Sequence, residues 1–150
     1  MSTLKSHLYQ LCLTFIQKRI ENIEYSLQQA RQASNDDTKS SAGDKYETTR
    51  EMMQQEMDRN SKLLYEAGQQ KIALQQVENV DAAKEVKNGS LVLTSAGNFY
   101  ISISAGELKC NEQTFFAVSQ AAPIGRAFIG RKVGDEVSFN GNKYLVKEIL

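Results

Sequence analysis

The sequence predicts an α+β protein in which a helical N-terminal domain precedes a small β-rich domain. Residues 1–80 repeat apolar side chains every three or four positions and contain only two of the nine glycines. Residues 88–150 contain the other seven glycines, the single proline and most of the two-residue alternation that is typical of strands. We therefore place one domain at 1–80 and the second at 88–150, with the composition changing over 81–88.

The composition excludes several classes of protein. Lys plus Arg and Asp plus Glu both number 18, so the net charge is zero, whereas a protein that coats nucleic acid is basic. A single histidine, His7, rules out a His-rich zinc site, and Cys12 and Cys110 lack the spacing of metal ligands. The presence of only two cysteines, far apart in sequence, predicts a cytoplasmic protein, and the lack of a long apolar run predicts that it has no membrane span.

The helical domain contains two series of positions whose steps alternate between three and four residues, which predicts two heptad helices forming an antiparallel hairpin. The first series is Leu13, Ile16, Ile20, Ile23, Leu27 and Ala30, and the second is Tyr46, Arg50, Met53, Met57, Asn60, Leu64, Ala67, Lys71 and Leu74. About 30 residues at 1.5 Å rise give an arm of roughly 45 Å. A further apolar stripe at Leu4, Leu8, Leu11 and Phe15 predicts that this end of the first helix packs against the β-rich domain.

The two helices are predicted to meet at an acidic tip near 34–47. Residues 34–43 are rich in Ser, Asn, Asp and Gly, which favours a turn. Asp44 and Glu47 follow at a spacing of three, so their carboxylates share one face of a helix and can hold a Mg²⁺ ion together. The same spacing also fits a capping box at the start of the second helix, and both interpretations stay open.

The β-rich domain is predicted to be a mostly antiparallel sheet with one short helix. Phe99, Ile101 and Ile103 alternate with polar or amphipathic residues, which predicts a sheet with one buried face. Pro123 opens the short helix, because its missing N–H costs little there. The predicted strands are 90–94, 99–104, 114–118, 137–139 and 142–149, and the last two are joined by an Asn-Gly pair that favours a type I′ turn.

Residues 117–137 resemble the C-terminal signature of the bacterial Gre transcript cleavage factors, GreA and GreB. That signature pairs a helix of the pattern Ser-Pro-hydrophobic-small-Arg-Ala-hydrophobic-hydrophobic-Gly with a following Gly-Asp; here Ala122 precedes Pro123 in place of the usual Ser. Residues 43–47 match the Gly-Asp-x-x-Glu motif of the family's hairpin tip, whereas 48–51 depart from the Asn-Ala-Glu-Tyr that follows it. The resemblance spans nearly the whole chain, and the chain resembles a divergent branch.

The resemblance implies an N-terminal antiparallel coiled-coil hairpin and an FKBP-like C-terminal domain. It implies binding to RNA polymerase, insertion of the coiled coil into the secondary channel, and stimulated cleavage of backtracked transcripts. Asp44 and Glu47 would then share a Mg²⁺ with the polymerase active site, beside the 3′ end of the nascent RNA, so that the chain is not itself an enzyme. The polymerase-binding residues implied by the signature are Ser119, Ala122, Pro123, Ile124 and Arg126.

Three other functions are also compatible with the sequence. The altered residues after Glu47 and a longer tip leave room for a Gre-like channel regulator that does not stimulate cleavage. An FKBP-like isomerase or chaperone is less favoured, because the aromatic pocket of such enzymes is commonly floored by Trp and this chain has none. A coiled-coil interaction module without any link to the polymerase is the third alternative.

Overall fold

The computed structural model describes the backbone of residues 3–39 and 44–150, and the side chains of residues 3–33 and 49–150. The chain is α+β, as predicted: two long helices precede a six-stranded sheet that carries one short helix. The elements are α1 (Thr3–Lys39), α2 (Asp44–Gln75), β1 (Leu91–Thr94), β2 (Gly97–Ser102), β3 (Gly106–Cys110), β4 (Gln113–Ser119), α3 (Pro123–Phe128), β5 (Glu136–Phe139) and β6 (Asn142–Ile149).

The chain divides into two compact units. One is Ile16–Gln70, which contains most of α1 and α2. The other combines the chain up to Phe15 with Lys71–Leu150, so the first turns of α1 belong with the sheet. No helix in the described part of the chain is long and apolar enough to cross a membrane.

In the helical unit, the predicted apolar series form a core between α1 and α2. Ile23 and Leu27 of α1 are buried together with Ala67 of α2, because their three-and-four spacing keeps them on one side of each helix. Arg19 Nη1 donates a hydrogen bond of 2.8 Å to Oε1 of Gln70 on the other helix. Partly buried residues complete this core: Ile20, Met57, Leu63 and Leu64.

Helix α1 is longer than the sequence predicts. It continues to Lys39, so the turn expected to begin at Ser34 is helical over its first residues, and that expectation is wrong. Ser, Asn and Asp lower helix propensity by only fractions of a kcal/mol each, and residues 34–39 contain neither Gly nor Pro to force an end. The rest of the predicted turn, residues 40–43, lies outside the described residues.

The strands form one sheet in the order β3-β4-β2-β1-β6-β5. Neighbouring strands are antiparallel except β2 and β4, which are parallel, so the sheet is mixed rather than wholly antiparallel. The cause is β3, which the sequence analysis missed: β4 returns from β3 and inserts between β3 and β2, and therefore runs in the same direction as β2.

Two of the three hairpins of this sheet have a turn whose two central residues are both at positive φ. Asn140 and Gly141 have φ of 49° and 80°, which confirms the type I′ turn expected from the Asn-Gly pair. Asn111 and Glu112 between β3 and β4 have φ of 52° and 64° and form a second turn of this kind, which nothing in the sequence pattern signalled. A glutamate at positive φ is uncommon, and this explains why β3 escaped a pattern-based prediction.

Strand β2 is buried on both faces, so the prediction of a single buried face is wrong. Phe99 and Ile101 pack into the core under α3, and Tyr100 and Ser102 on the opposite face are also buried. There Ser102 Oγ lies 3.8 Å from Cys12 Sγ of α1, and Cys12 itself is fully buried. The N-terminal turns of α1 cover the second face, as predicted, but the predicted stripe is only partly right. Leu8 is buried, Leu4 and Leu11 are partly buried and Phe15 is exposed.

Lys5 is buried within this packing. Its Nζ donates hydrogen bonds to the carbonyl oxygens of Val80, at 2.7 Å, and of Leu150, at 3.2 Å. These bonds compensate in part for the loss of water around the ammonium group. Burial lowers the pKa of Lys5, and the positive charge of Lys87 lowers it further, while Asp81 opposes them. Lys5 thus connects the start of α1 to the segment after α2 and to the end of the chain.

We expect Cys12 to make folding stability fall at alkaline pH. Burial raises the pKa of its thiol from 9.0 to about 11, so the unfolded chain ionises first. Stability from this group is full below pH 9 and is lost between about pH 9 and 11, by at most roughly 3 kcal/mol. Urea unfolding of the natural chain and Cys12→Ala at several pH values measures this.

The variant should lose stability less steeply over this range than the natural chain. Tyr9 and Tyr100, whose pKa values burial also raises, and Lys5, whose lowered pKa acts with the opposite sign, are present in both proteins. The charge of ionised Cys12 also raises the pKa of both tyrosines, so the variant loses that contribution together with the thiol. Parallel stability curves for the two proteins would contradict the prediction.

Candidate functional site

The segment predicted to bind a partner, residues 119–126, runs from the end of β4 into α3. Ala122 is the N-cap, with extended backbone angles of φ −68° and ψ 151°, and its side chain makes no capping hydrogen bond. Pro123 occupies the first helical turn, where its fixed φ suits the helix and its missing N–H is harmless. Proline therefore begins α3 as expected, and the methyl group of Ala122 supplies no hydroxyl to cap it.

Ser119 shapes the turn into α3. Its Oγ accepts a hydrogen bond of 3.1 Å from the Ala121 N–H, and its carbonyl oxygen accepts one of 3.1 Å from the Ala122 N–H. Its own N–H donates to Ser104 Oγ at 3.4 Å. The hydroxyl of Ser119 therefore accepts a hydrogen bond from the local backbone. Its contribution to a binding surface is to position the turn that leads into α3.

Gly125 is the residue of this site that the sequence analysis missed. A Cβ atom at this position would lie 2.0 Å from the carbonyl oxygen of Ser119, so only glycine lets α3 approach the end of β4 so closely. The available signal was a glycine in the middle of a helical segment, where it costs about 1 kcal/mol relative to alanine unless packing requires it.

Phe128 anchors the other end of α3 in the core. Its ring is fully buried, 5.0 Å from the ring of Phe99 and 5.7 Å from that of Tyr144, and it meets Tyr144 edge-on. Aromatic pairs of this kind add about 0.5–1.5 kcal/mol to the free energy of burial. Gly125 and Phe128 therefore hold α3 in one position on the sheet.

The outer surface of α3 combines apolar and basic groups. Pro123 and Arg126 are exposed, Ile124 is partly buried against the core, and Ile129 just after the helix is 39% exposed. Arg126 forms no ion pair or side-chain hydrogen bond with any residue whose side chain the structure describes. An exposed guanidinium beside apolar groups is a surface that suits an acidic or mixed protein partner.

Two other basic residues follow α3, and the side chain of each contacts another residue of the chain. Arg131 Nε donates to the carbonyl oxygen of Ala127 at 3.2 Å, and Lys132 Nζ lies 3.7 Å from a carboxylate oxygen of Glu85. Both side chains are exposed. Of the three basic residues near α3, Arg126 is therefore the one whose head group is available for a partner.

The two predicted tip acids lie at the start of α2. The backbone is helical from Asp44 onward, so Asp44 and Glu47 occupy its first turn. Their side chains lie outside the described residues, and both the capping and the metal-holding interpretation stay predictions. Among the described residues, no group of three potential His, Cys, Asp or Glu ligands could hold a metal ion.

Cys110 and His7, which are 103 residues apart in sequence, lie next to each other where α1 packs against the sheet. Cys110 Sγ of β3 lies 3.3 Å from His7 Nδ1 of α1. Cys110 is buried, and Cys12 is kept as a neutral thiol by the burial that raises its pKa to about 11. Both thiols lie where α1 packs against the sheet, and the neutral thiol of Cys12 is a poor nucleophile.

No protein-family model matches this chain, and a search of curated proteins gives no match.

We expect Gly125→Ala to destabilise the protein. The added methyl group would collide with the backbone of Ser119, which cannot move aside as a flexible side chain would, and overpacking of this kind costs about 1–3 kcal/mol. Gly68→Ala is the matched control, because that helical glycine has open space around its Cβ position, and the change should stabilise by about 0.5–1 kcal/mol. Thermal unfolding measures both; equal effects would contradict the role of the close contact.

Proposed function

We propose that this protein is a Gre-like transcription factor that binds RNA polymerase, places its helical hairpin in the secondary channel and stimulates cleavage of backtracked transcripts. The main support for the proposal lies at the connection of two long helices, where α1 ends at Lys39 and α2 begins at Asp44. In this chain the Gly-Asp-x-x-Glu sequence of residues 43–47 falls at that connection.

The proposal includes the finer architecture of the two parts. We take α1 and α2 to form an antiparallel coiled coil, which is supported by the hydrogen bond between Arg19 and Gln70 and by the core around Ile23 and Ala67. At 1.5 Å per residue, the 37 residues of α1 extend about 55 Å. We take the sheet with α3 to be an FKBP-like domain, supported by its mixed sheet and its single short helix.

The chemistry assigned to the chain is the supply of carboxylates. Bound Mg²⁺ activates water and stabilises the charge that develops on a phosphate during hydrolysis. Asp44 and Glu47, one helical turn apart at the start of α2, would give such an ion two of its oxygen ligands, while water and phosphate fill the other positions. The polymerase supplies the rest of the active site, so the isolated chain is expected to cleave no RNA.

The role assigned to α3 is docking on the polymerase. Pro123 and Arg126 are exposed on its outer surface, while Gly125 and Phe128 fix the helix from beneath. A surface held in place before binding loses little conformational entropy when the partner arrives. Docking through α3 and delivery of carboxylates by α2 are thus separable functions of one chain.

A second candidate is a regulator of the same channel that does not stimulate cleavage. It is favoured by one observation: residues 48–51 read Thr-Thr-Arg-Glu, which places Arg50, an exposed cation, three residues after Glu47. On a helix, residues three apart share a face, so a cation at this spacing from Glu47 competes with a metal ion for the charge of that carboxylate. Cleavage assays with the natural chain distinguish the two candidates, because only the first predicts stimulation.

We expect the double variant Asp44→Asn/Glu47→Gln to bind RNA polymerase normally and to lose at least about tenfold of its cleavage stimulation, because a hard cation requires anionic oxygen ligands. Asn and Gln still serve in a capping box, so the melting temperature should stay within a few degrees of the natural chain. Transcript cleavage in stalled, backtracked complexes measures the effect. Full stimulation by the variant would exclude a metal-holding role for these acids.

We expect Arg126→Glu to weaken binding to RNA polymerase roughly tenfold, because it replaces an exposed cation on the docking surface with an anion. The control is Lys147→Glu, which makes the same change in net charge at an exposed position of β6. Competition with labelled natural protein for core polymerase measures both variants. If the two bind alike, the docking surface does not lie on α3.

A further inference from the structure

Strand β3 lies at one edge of the sheet, paired on a single side with β4. The type I′ turn at Asn111 and Glu112 makes Cys110 and Gln113, which flank it, a hydrogen-bonded pair. Backbone hydrogen bonding alternates along an antiparallel pair, so Leu108 also bonds to β4. The N–H and C=O groups of the intervening Glu107 and Lys109 therefore point outward, along the free edge.

The side chains of these two edge residues carry opposite charges. Glu107 and Lys109 are both exposed and lie on the same face of the sheet, whereas Leu108 between them is buried on the other face. Neither forms an ion pair or a side-chain hydrogen bond with any residue whose side chain the structure describes. The free edge thus presents one anion and one cation, two residues apart, beside unpaired backbone groups.

We propose that this edge pairs with the same edge of a second copy of the chain, forming a two-fold symmetric dimer through antiparallel β3 strands. With the two-fold axis at Leu108, Glu107 of each copy lies opposite Lys109 of the other. The outward-pointing backbone groups of these residues then form the hydrogen-bonded pairs of the new ladder. Backbone pairing and charge pairing are satisfied by one arrangement, as an isologous interface requires.

The charges also select that register. Moving one strand by two residues in one direction keeps the backbone alternation but sets Glu107 opposite Glu107 of the other copy. Moving it by two residues in the other direction sets Lys109 opposite Lys109 of the other copy. Like charges directly opposite each other destabilise a strand pair, and opposite charges stabilise it. Of the three neighbouring registers that the backbone permits, only the one centred on Leu108 matches opposite charges.

The other edge of the sheet, β5, lacks this complementarity. Its type I′ turn at Asn140 and Gly141 directs the backbone groups of Glu136 and Ser138 outward by the same reasoning. If β5 paired with β5 of a second copy, Glu136 would lie opposite a serine or opposite Glu136 of that copy. No cation would face it in either arrangement. Glu136 is moreover already 3.7 Å from Lys143 of β6. The edge at β3 is therefore the one suited to a second copy.

Sedimentation velocity of the full chain, from micromolar to millimolar concentration, tests this inference, which does not depend on the proposed function. We expect a concentration-dependent dimer that weakens as salt is added. Glu107→Lys and Lys109→Glu should each raise the dimer dissociation constant roughly 10- to 30-fold, because each change turns two attractive pairs into repulsive ones. The double exchange Glu107→Lys/Lys109→Glu should restore it to within about threefold of the natural value.

The matched control is Glu136→Lys at the opposite edge, which makes the same change in net charge as Glu107→Lys and should leave dimerisation unchanged. Circular dichroism verifies that each variant is folded. Three results would overturn the proposal: a natural chain that stays monomeric throughout, single reversals without effect, or a double exchange that does not restore the dimer. In the monomeric case, the edge charges serve to prevent strand pairing, as Lys residues do on many sheet edges.

Discussion

The burial of β2 on both faces is the constraint on which the rest of the sheet unit depends. Phe99 and Ile101 face the core that α3 covers, and Tyr100 and Ser102 face the N-terminal turns of α1. A unit of about 60 residues from the β-rich region alone buries only about 60% of the surface that its unfolded chain exposes, and is marginally stable. By adding the start of α1, the chain closes a second core over the same strand.

This packing brings residues from opposite ends of the chain together. Lys5 reaches the carbonyl oxygen of Leu150, and His7 meets Cys110, although each pair is separated by more than 100 residues. A buried ammonium is costly without partners, which the two carbonyl contacts of Lys5 supply. Contacts of this range make the sheet unit cooperative, because unfolding of either terminus removes hydrogen bonds that the other terminus makes in the folded chain.

The surface around α3 follows from the same sheet. Phe128 is inserted among Phe99 and Tyr144, and Gly125 lies against the backbone of Ser119, so the helix is fixed on the sheet from within. Its outward residues, Pro123 and Arg126, are thereby presented in one arrangement. The arrangement of the proposed docking surface therefore depends on buried residues beneath it, which links the core to the proposed function.

The sequence alone determined the order and type of most elements. The three-and-four spacing of Ile23 and Leu27 predicted the helix core, Pro123 predicted the start of α3, and Asn140-Gly141 predicted its turn, because each signal is local and acts through backbone geometry or periodicity. The roles of Asp44 and Glu47 stay predictions. Only the tertiary structure decided that β3 exists at an edge, that β2 is covered twice and that Gly125 must be glycine. The cover on the second face of β2 comes from α1, 90 residues away in sequence, which no local pattern encodes. Strand β3 depends on a turn with a glutamate at positive φ, and Gly125 on the close approach of its backbone to Ser119, and neither follows from periodicity.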